Sequence, residues 1–175
     1  MRPRGQRDTG GDGETRPSPI LSESQDLVLL CKDDIIRVNS SILQAEHQNS
    51  TVDAVPIVID LGRLDFIVDG QCRKVFGFDP WPSIYDKAAY LLCNLSFYHC
   101  FFAGNKRTAW EASRVFLSAN DIGIYYNCED TVRICFDIAT LRDTVPVDEY
   151  IDEALELKIT ETSQWIKGRS FSMSV

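Results

Sequence analysis

The stretch YHCFFAGNKRTAW at residues 98–110 holds the side chains best suited to chemistry. One histidine, His99, stands ahead of a glycine, an asparagine and two adjacent cations at positions 104–107. A neutral imidazole takes a proton from a hydroxyl near pH 7. The free backbone N–H groups at a helix start attract anions, and a glycine lets an anion approach the backbone closely. The pattern predicts a phosphate-binding turn with a base beside it, as group transfer from a nucleotide requires.

Each of these features alone has an ordinary explanation. A single histidine at a helix end is usually a cap or a satisfied core residue, and glycine–asparagine turns between helices are common. Lysine and arginine in a first helical turn usually face water. Only their combination at fixed spacing favours a functional site.

Two helices must position this stretch. Apolar residues from Ile84 to Leu95 recur at helical spacing and predict a helix that runs to about His99. A turn at residues 103–105 follows, and a second helix is predicted from near Lys106 to residues 120–123. Gly104, Asn105, Lys106 and Arg107 are therefore the predicted phosphate-binding residues, because they lie where that helix begins.

The rest of the chain is also predicted to be helical. An apolar stripe runs from Leu27 to Ile42, and Asp60 is a good N-cap for a short helix that ends at Gly70. Residues 71–83 read as a loop with exposed-looking aromatics, which cover the core or form a docking edge for a partner. Further helices are predicted at residues 130–141 and from Pro146 onward.

The predicted fold class is therefore all-α, a single helical domain of about six helices without an internal repeat. The predicted boundaries are a disordered tail at residues 1–21, the domain at 22–167 and a C-terminal tail at 168–175. The first tail is rich in glycine, proline and charge and lacks hydrophobic periodicity. A capping-box spacing at Ser22 and Gln25 marks the predicted start of the domain.

Composition limits the possible functions. The net charge of −8, from 18 basic and 26 acidic residues, argues against direct DNA or RNA binding. The apolar stretches are too short to cross a bilayer, and no signal-like segment is present, so a cytoplasmic protein is expected. The six cysteines include no CxxC pair and predict buried free thiols rather than a metal site.

The segment HCFFAGNKR resembles the signature of the Fic/Doc superfamily, HxFx(D/E/N)(G/A)N(G/K)R. Lys106, in place of the glycine of the adenylyl-transferring members, looks like the death-on-curing (Doc) toxin branch, as does the Thr-Ala that follows Arg107. The segments DLGRLDFIVDG, YDKAAYLLCNLSFYH and RVFLSANDIGI look like the helices around the family motif. The resemblance covers about residues 22–157.

The resemblance implies an all-helical Fic/Doc fold and ATP chemistry. It makes His99 the general base and Phe101 the anchor of the loop. It also makes Gly104 and Asn105 the anion hole and Arg107 a contact to the nucleotide phosphates. In Doc toxins, the lysine at the position of Lys106 accompanies a reversed nucleotide, so that the γ-phosphoryl group is transferred instead of AMP.

One residue departs from the family pattern. Ala103 stands at the acidic or amide position that helps to hold Mg²⁺ against the phosphates, and alanine offers no side-chain oxygen. The resemblance therefore implies ATP and Mg²⁺ as cofactors, with the metal-ligand position lost. Either the protein is impaired, or the alanine was introduced to make a toxin safe to express, or another carboxylate substitutes.

The leading hypothesis is a Doc-like toxin of a toxin–antitoxin pair. Family targets are hydroxyls of translation factors, notably elongation factor Tu, and the antitoxin would be a separate protein. One alternative is a Fic-type protein adenylyltransferase, which Lys106 and Trp110 disfavour because that branch carries a glycine and a second arginine there. The other alternative is a catalytically dead Fic/Doc binding module, which Ala103 favours.

Overall fold

The computed structural model of the chain describes residues 27–46, 55–145 and 151–174. Within these ranges the elements follow the order α1 Lys32–Glu46, α2 Leu61–Gly70, α3 Ile84–Tyr98, α4 Asn105–Ala119, β1 Ile122–Ile124, α5 Cys128–Ala139, α6 Leu141–Thr144, α7 Ile151–Lys167 and β2 Ser170–Ser172. Six of these helices have ten residues or more, and α6 is a single turn. The predicted all-α domain of about six helices is confirmed.

Helix α3 forms the centre of the domain. A capping box starts it, because Ser83 Oγ accepts from the Asp86 N–H at 3.1 Å and Asp86 Oδ2 accepts from the Ser83 N–H at 3.0 Å. Eleven of its fifteen residues are buried, so the helix has no exposed face along most of its length. It packs mainly against α4 and α7, with α5 and α2 completing the enclosure. The packing of these helices therefore fixes the position of the C-terminal end of α3.

Helix α4 lies against α3 along the face that the sequence predicts. Ala109, Ala112 and Phe116 are fully buried, and the two alanines allow the helices to approach closely. Ala119 falls on the same predicted stripe but is exposed, because it is the last residue of the helix. The helix ends where predicted.

The first helix begins later than its apolar stripe indicates. Residues 27–31 are not helical, and α1 starts at Lys32. The carboxylate of Asp34 accepts a hydrogen bond from the Cys31 N–H at 2.8 Å and so fixes this start. Cys31, which falls on the apolar stripe, is exposed. Ser22 and Gln25, the predicted capping box, lie outside the described residues.

Tertiary hydrogen bonds explain why residues 27–31 are extended. The Val28 N–H donates to Asn120 Oδ1 at 2.8 Å, and the Leu30 N–H donates to Gln71 Oε1 at 3.1 Å. The side-chain amide of Asn120 in turn donates to the Val28 carbonyl, and the side-chain amide of Gln71 donates to the Leu30 carbonyl. These side chains satisfy the backbone groups that a helix would have used, so the local pattern is overridden.

A small antiparallel sheet lies next to the C-terminal end of α4. Strand β1 pairs with β2, with Gly123 opposite Phe171. A side chain at Gly123 would overlap the Phe171 ring, so the glycine makes room for it. The predicted C-terminal tail at 168–175 thus contains a paired strand. Periodicity did not reveal the sheet, because each strand has three residues.

The predicted loop between α2 and α3 contains a two-residue hairpin. Val75 and Phe78 exchange both backbone hydrogen bonds, at 2.8 and 3.0 Å, and the two residues between them have positive φ. Phe76 at the tip is 98% exposed. Trp81 instead packs on the core, with its ring centroid 5.7 Å from that of Tyr90. Of these loop aromatics, Trp81 therefore covers part of the core, whereas Phe76 is exposed at the tip of the hairpin.

Of the six cysteines, three are buried and three are exposed, and none forms a disulfide. Cys93, Cys100 and Cys135 are the buried ones, so the prediction of buried free thiols is confirmed for these three. Burial raises the pKa of Cys93 to about 12 and the pKa values of Cys100 and Cys135 to about 11. All three are therefore protonated near neutral pH.

In the parts of the chain that the structure describes, no helix combines the length and apolar character needed to cross a bilayer. The tail predicted at residues 1–21, and residues 146–150 where the last helix was predicted to begin, lie outside those parts.

The close contact of Gly70 in α2 with Tyr90 in α3 allows a test of how these two helices pack. A methyl group at Gly70 would overlap the phenol of Tyr90, whereas a methyl group at Gly62 in the same helix would lie at an ordinary contact distance, 3.8 Å, from Asp60 Oδ1. We expect Gly70→Ala to lower the free energy of unfolding by about 1–3 kcal/mol through overpacking. Gly62→Ala should leave it unchanged or raise it by up to about 1 kcal/mol. Urea denaturation of both variants measures the difference, and equal stabilities would contradict the packing described here.

Candidate functional site

His99 is the C-cap of α3 and begins the turn at residues 99–104, the site turn. Its backbone is left-handed, with φ 50° and ψ 56°, which ends the helix and reverses the chain. The residue is exposed, whereas the residues of the helix before it are almost all buried. The core thus fixes the backbone of His99 and leaves its side chain on the surface.

An extended segment preceding α2 binds the backbone of the site turn. The Ile59 N–H donates to the Cys100 carbonyl at 2.9 Å, and the Phe102 N–H donates to the Ile57 carbonyl at 2.9 Å. Between these bonds, Phe101 is buried in the core. This burial agrees with the anchoring role that the family resemblance implies for Phe101.

Asn105 closes the site turn from its other end. Its Oδ1 accepts from the Phe101 N–H at 2.9 Å, and its Nδ2 donates to the Phe101 carbonyl at 2.6 Å. One side chain therefore satisfies both backbone groups of Phe101 and draws the start of α4 against the end of α3. The predicted anion-hole residue thus contributes its side chain to the shape of the turn.

Four consecutive backbone N–H groups at the start of α4 have no acceptor within the described residues, namely those of residues 104–107. Gly104 is the N-cap, with φ 78°, and provides no side-chain cap. The first internal bond of the helix runs from the Thr108 N–H to the Gly104 carbonyl at 2.9 Å. We call these four N–H groups, with the Lys106 and Arg107 side chains, the anion cradle. Its free donors and the positive helix end suit a phosphate group.

The two cations of the anion cradle, Lys106 and Arg107, are exposed, and their contacts with neighbouring side chains are weak. Lys106 Nζ lies 5.7 Å from the centroid of the Phe136 ring, and Phe136 is itself exposed. Arg107 forms an ion pair with Glu46 at the end of α1. Exposed pairs of this kind are weak, so a polyphosphate can compete for both cations.

Sequence reasoning missed two residues of α1 that reach the site. Glu46 holds Arg107. Asn39, which is fully buried, donates from Nδ2 to the Ala103 carbonyl and to Thr108 Oγ1, each at 2.9 Å. Helical periodicity places Asn39 on the buried side of α1, between Ile35 and Leu43. A polar residue in that apolar row was the available signal.

The position that the family resemblance assigns to a metal ligand holds Ala103. Ala103 is exposed and its methyl group offers no ligand, while its carbonyl is engaged by Asn39. Among the described residues there is no group of three or more His, Cys, Asp or Glu side chains that fits a metal ion. The donors at the site turn therefore suit a phosphate and do not suit a Mg²⁺ ion held by the protein alone.

Two neighbouring residues have structural roles. Trp110, where the adenylylating branch carries a second arginine, is buried against the rings of Tyr126 and Trp165, with centroids 5.0 and 6.1 Å away. Cys100, which follows His99, is fully buried, and burial raises its pKa to about 11. Its thiol is protonated near pH 7 and so is a poor nucleophile.

An exposed histidine and the anion cradle lie at the two ends of one short turn between two packed helices. The Fic/DOC family model matches residues 29–117, about half of the chain. The chain belongs to the Fic/DOC family, and the matched range contains α3, the site turn and α4 up to residue 117.

Within the family, the chain is similar to the Doc branch. A segment of 65 residues is 45% identical to Toxin Doc of Mycolicibacterium smegmatis. That segment spans 37% of this chain and half the length of that toxin.

Opposite charge changes test the anion cradle. Arg107→Ala should weaken binding of inorganic pyrophosphate by about tenfold or more, because it removes a charged donor. Glu46→Gln should strengthen it about two- to fivefold, because it releases Arg107 from an exposed ion pair. Calorimetric titration, after circular dichroism shows that both variants are folded, measures the affinities. Affinities that do not respond to either change would remove Arg107 from the cradle.

Proposed function

We propose that this protein is a Doc-like toxin that transfers the γ-phosphoryl group of ATP to a hydroxyl of another protein. The observation that carries the proposal is the anion cradle, with two weakly paired cations and four N–H groups that find no acceptor among the described residues, all at one helix start. Lysine at position 106 and the similarity to Toxin Doc favour phosphoryl transfer over other Fic/Doc chemistry.

The proposed reaction assigns a separate task to each part of the site. The N–H groups of residues 104–107 bind the phosphate oxygens, and Lys106 and Arg107 neutralise the charge that develops on them. His99 takes the proton of the attacking hydroxyl. The hydroxyl oxygen forms a bond to the γ-phosphorus while the bond from that phosphorus to the bridging oxygen breaks, and ADP leaves. Mg²⁺, when bound with ATP, supplies further neutralisation of the phosphate charge.

The proposed substrate is a translation factor, such as elongation factor Tu, so the proposed site of action is the cytoplasm. The proposed regulator is a separate antitoxin protein. Both proposals rest on the similarity to Toxin Doc and on the family resemblance. The exposed position of His99 supports a macromolecular substrate, because a surface base is accessible to a hydroxyl on another protein.

A second candidate is a Fic/Doc binding module without catalysis, and Ala103 is the observation that favours it. An adenylyltransferase is disfavoured by Lys106 and by the burial of Trp110, which leaves no cation at that position.

Isotope position separates the three functions. The purified protein is incubated with cell extract and ATP labelled on either the α or the γ phosphate, with His99→Ala as the matched control. Protein-bound label from γ alone is the expected result, and it should disappear in the control. Label from α would establish adenylyl transfer instead, and no label from either position would leave the binding module.

A carboxylate placed at position 103 tests whether the missing side-chain oxygen limits the proposed transfer. Ala103→Asp should raise Mg²⁺-dependent transfer by roughly two to three powers of ten, the scale of one preorganised electrostatic contact. The gain should vanish when His99 is also replaced by alanine, since a better-held phosphate still needs a base. The rate of γ-label transfer and the growth of cells expressing each variant are the measurements. Ala103→Asp protein that transfers no phosphate and does not slow growth would contradict the proposed enzyme.

A further inference from the structure

Asn39 connects helix α1 to the site turn by a hydrogen bond. Its Nδ2 donates to the Ala103 carbonyl and to Thr108 Oγ1, each at 2.9 Å, and both Asn39 and Thr108 are fully buried. Its Oδ1 is also buried and has no hydrogen-bond partner in the described part of the chain. A buried unsatisfied oxygen is destabilising. Stability alone therefore does not explain an asparagine at this position.

The bond to Ala103 determines which way one peptide group faces. A trans peptide directs its C=O and its N–H to opposite sides, and the described residues include no cis peptide. The Ala103 carbonyl points to Asn39 on α1. The N–H of Gly104, at the other end of that peptide, therefore points away from α1, toward the open side of the site turn.

This direction is not guaranteed by the turn itself. Gly104 has φ 78° and no Cβ, and glycine tolerates both signs of φ, so the peptide before it has little intrinsic preference for either direction. The reversed peptide would present the Ala103 carbonyl oxygen to an approaching anion in place of the Gly104 N–H. An acceptor would then stand where the cradle needs a donor.

We propose that Asn39 is a positioning residue that holds the Ala103–Gly104 peptide with its N–H directed at the phosphate of the ligand. The polyphosphate nature of that ligand rests on the proposed function. In this role Asn39 affects the ligand through the peptide that it orients.

A purely structural role is the competing explanation, since Asn39 also ties α1 to α4. Asn120 provides a matched control, because it makes the same kind of contact elsewhere. Its Oδ1 accepts from the Val28 N–H at 2.8 Å, and its Nδ2 donates to the Val28 and Phe116 carbonyls at 2.9 and 2.8 Å. It lies just beyond the opposite end of α4 from the site turn.

The experiment compares Asn39→Leu with Asn120→Leu in ¹⁵N-labelled full-length protein. The leucine side chain has a similar size and cannot donate a hydrogen bond. We expect Asn39→Leu to move the Gly104 amide resonance and to weaken inorganic pyrophosphate binding by about tenfold, the scale of one lost hydrogen bond to a charged group. Asn120→Leu should lower the melting temperature and leave both site readouts as in the parent. If Asn39→Leu does not fold, Asn39→Ala replaces it.

An unmoved Gly104 resonance and unchanged pyrophosphate affinity in folded Asn39→Leu would overturn the proposal. Equal changes in Asn39→Leu and Asn120→Leu would also overturn it, since they would report general destabilisation. Neither readout requires catalysis, so a parent protein that transfers no phosphate from ATP counts against the proposed function alone. If the parent protein does not bind pyrophosphate, the change in the Gly104 amide resonance alone tests the proposal.

Discussion

The enclosure of α3 is the constraint on which the rest of the structure depends. A helix buried around most of its circumference must have a neighbour on every side, and α2, α4, α5 and α7 supply them. Its C-terminal end then has one fixed position, and the site turn must reverse the chain there to bring α4 back along it. The left-handed backbone of His99, the buried ring of Phe101 and the side chain of Asn105 together make that reversal. Within the described residues, the first N–H groups of α4 have no acceptor as a consequence of this reversal, because Gly104 ends the turn without a side chain to cap the helix.

Local sequence signals predicted the parts of this arrangement that depend on neighbours along the chain. The capped start of α2, the extent of α3 and the end of α4 follow from residue type and helical spacing, and the structure confirms them. Contacts between distant segments left no such signal. The extended residues 27–31 depend on amides more than forty positions away. Gly70 is another example, since it is the last residue of α2 and makes room for Tyr90, rather than capping the helix.

The electrostatics of the site are local within an acidic chain. A net charge of −8 gives the whole protein no general attraction for phosphates. Lys106 and Arg107 are exposed at the positive end of α4, where their charges and the helix dipole reinforce one another. Their present partners, an exposed ring and an exposed carboxylate, hold them weakly. Because these contacts are weak, an incoming anion exchanges one partner for another and does not need to break a buried network.

Ala103 separates two properties that the family motif normally combines. Its carbonyl takes part in shaping the turn through Asn39, and a residue of any type at position 103 carries that carbonyl. Its side chain is exposed and contributes nothing to the packing described here. The alanine therefore removes a side-chain oxygen without disturbing the backbone groups of the cradle. In the proposed function, binding of a phosphate depends on those backbone groups, whereas transfer also depends on neutralising the charge that develops as the bond breaks. A chain with this residue can thus retain affinity for phosphates while its rate of transfer falls, and that difference is what separates a slow enzyme from a binding module at this site.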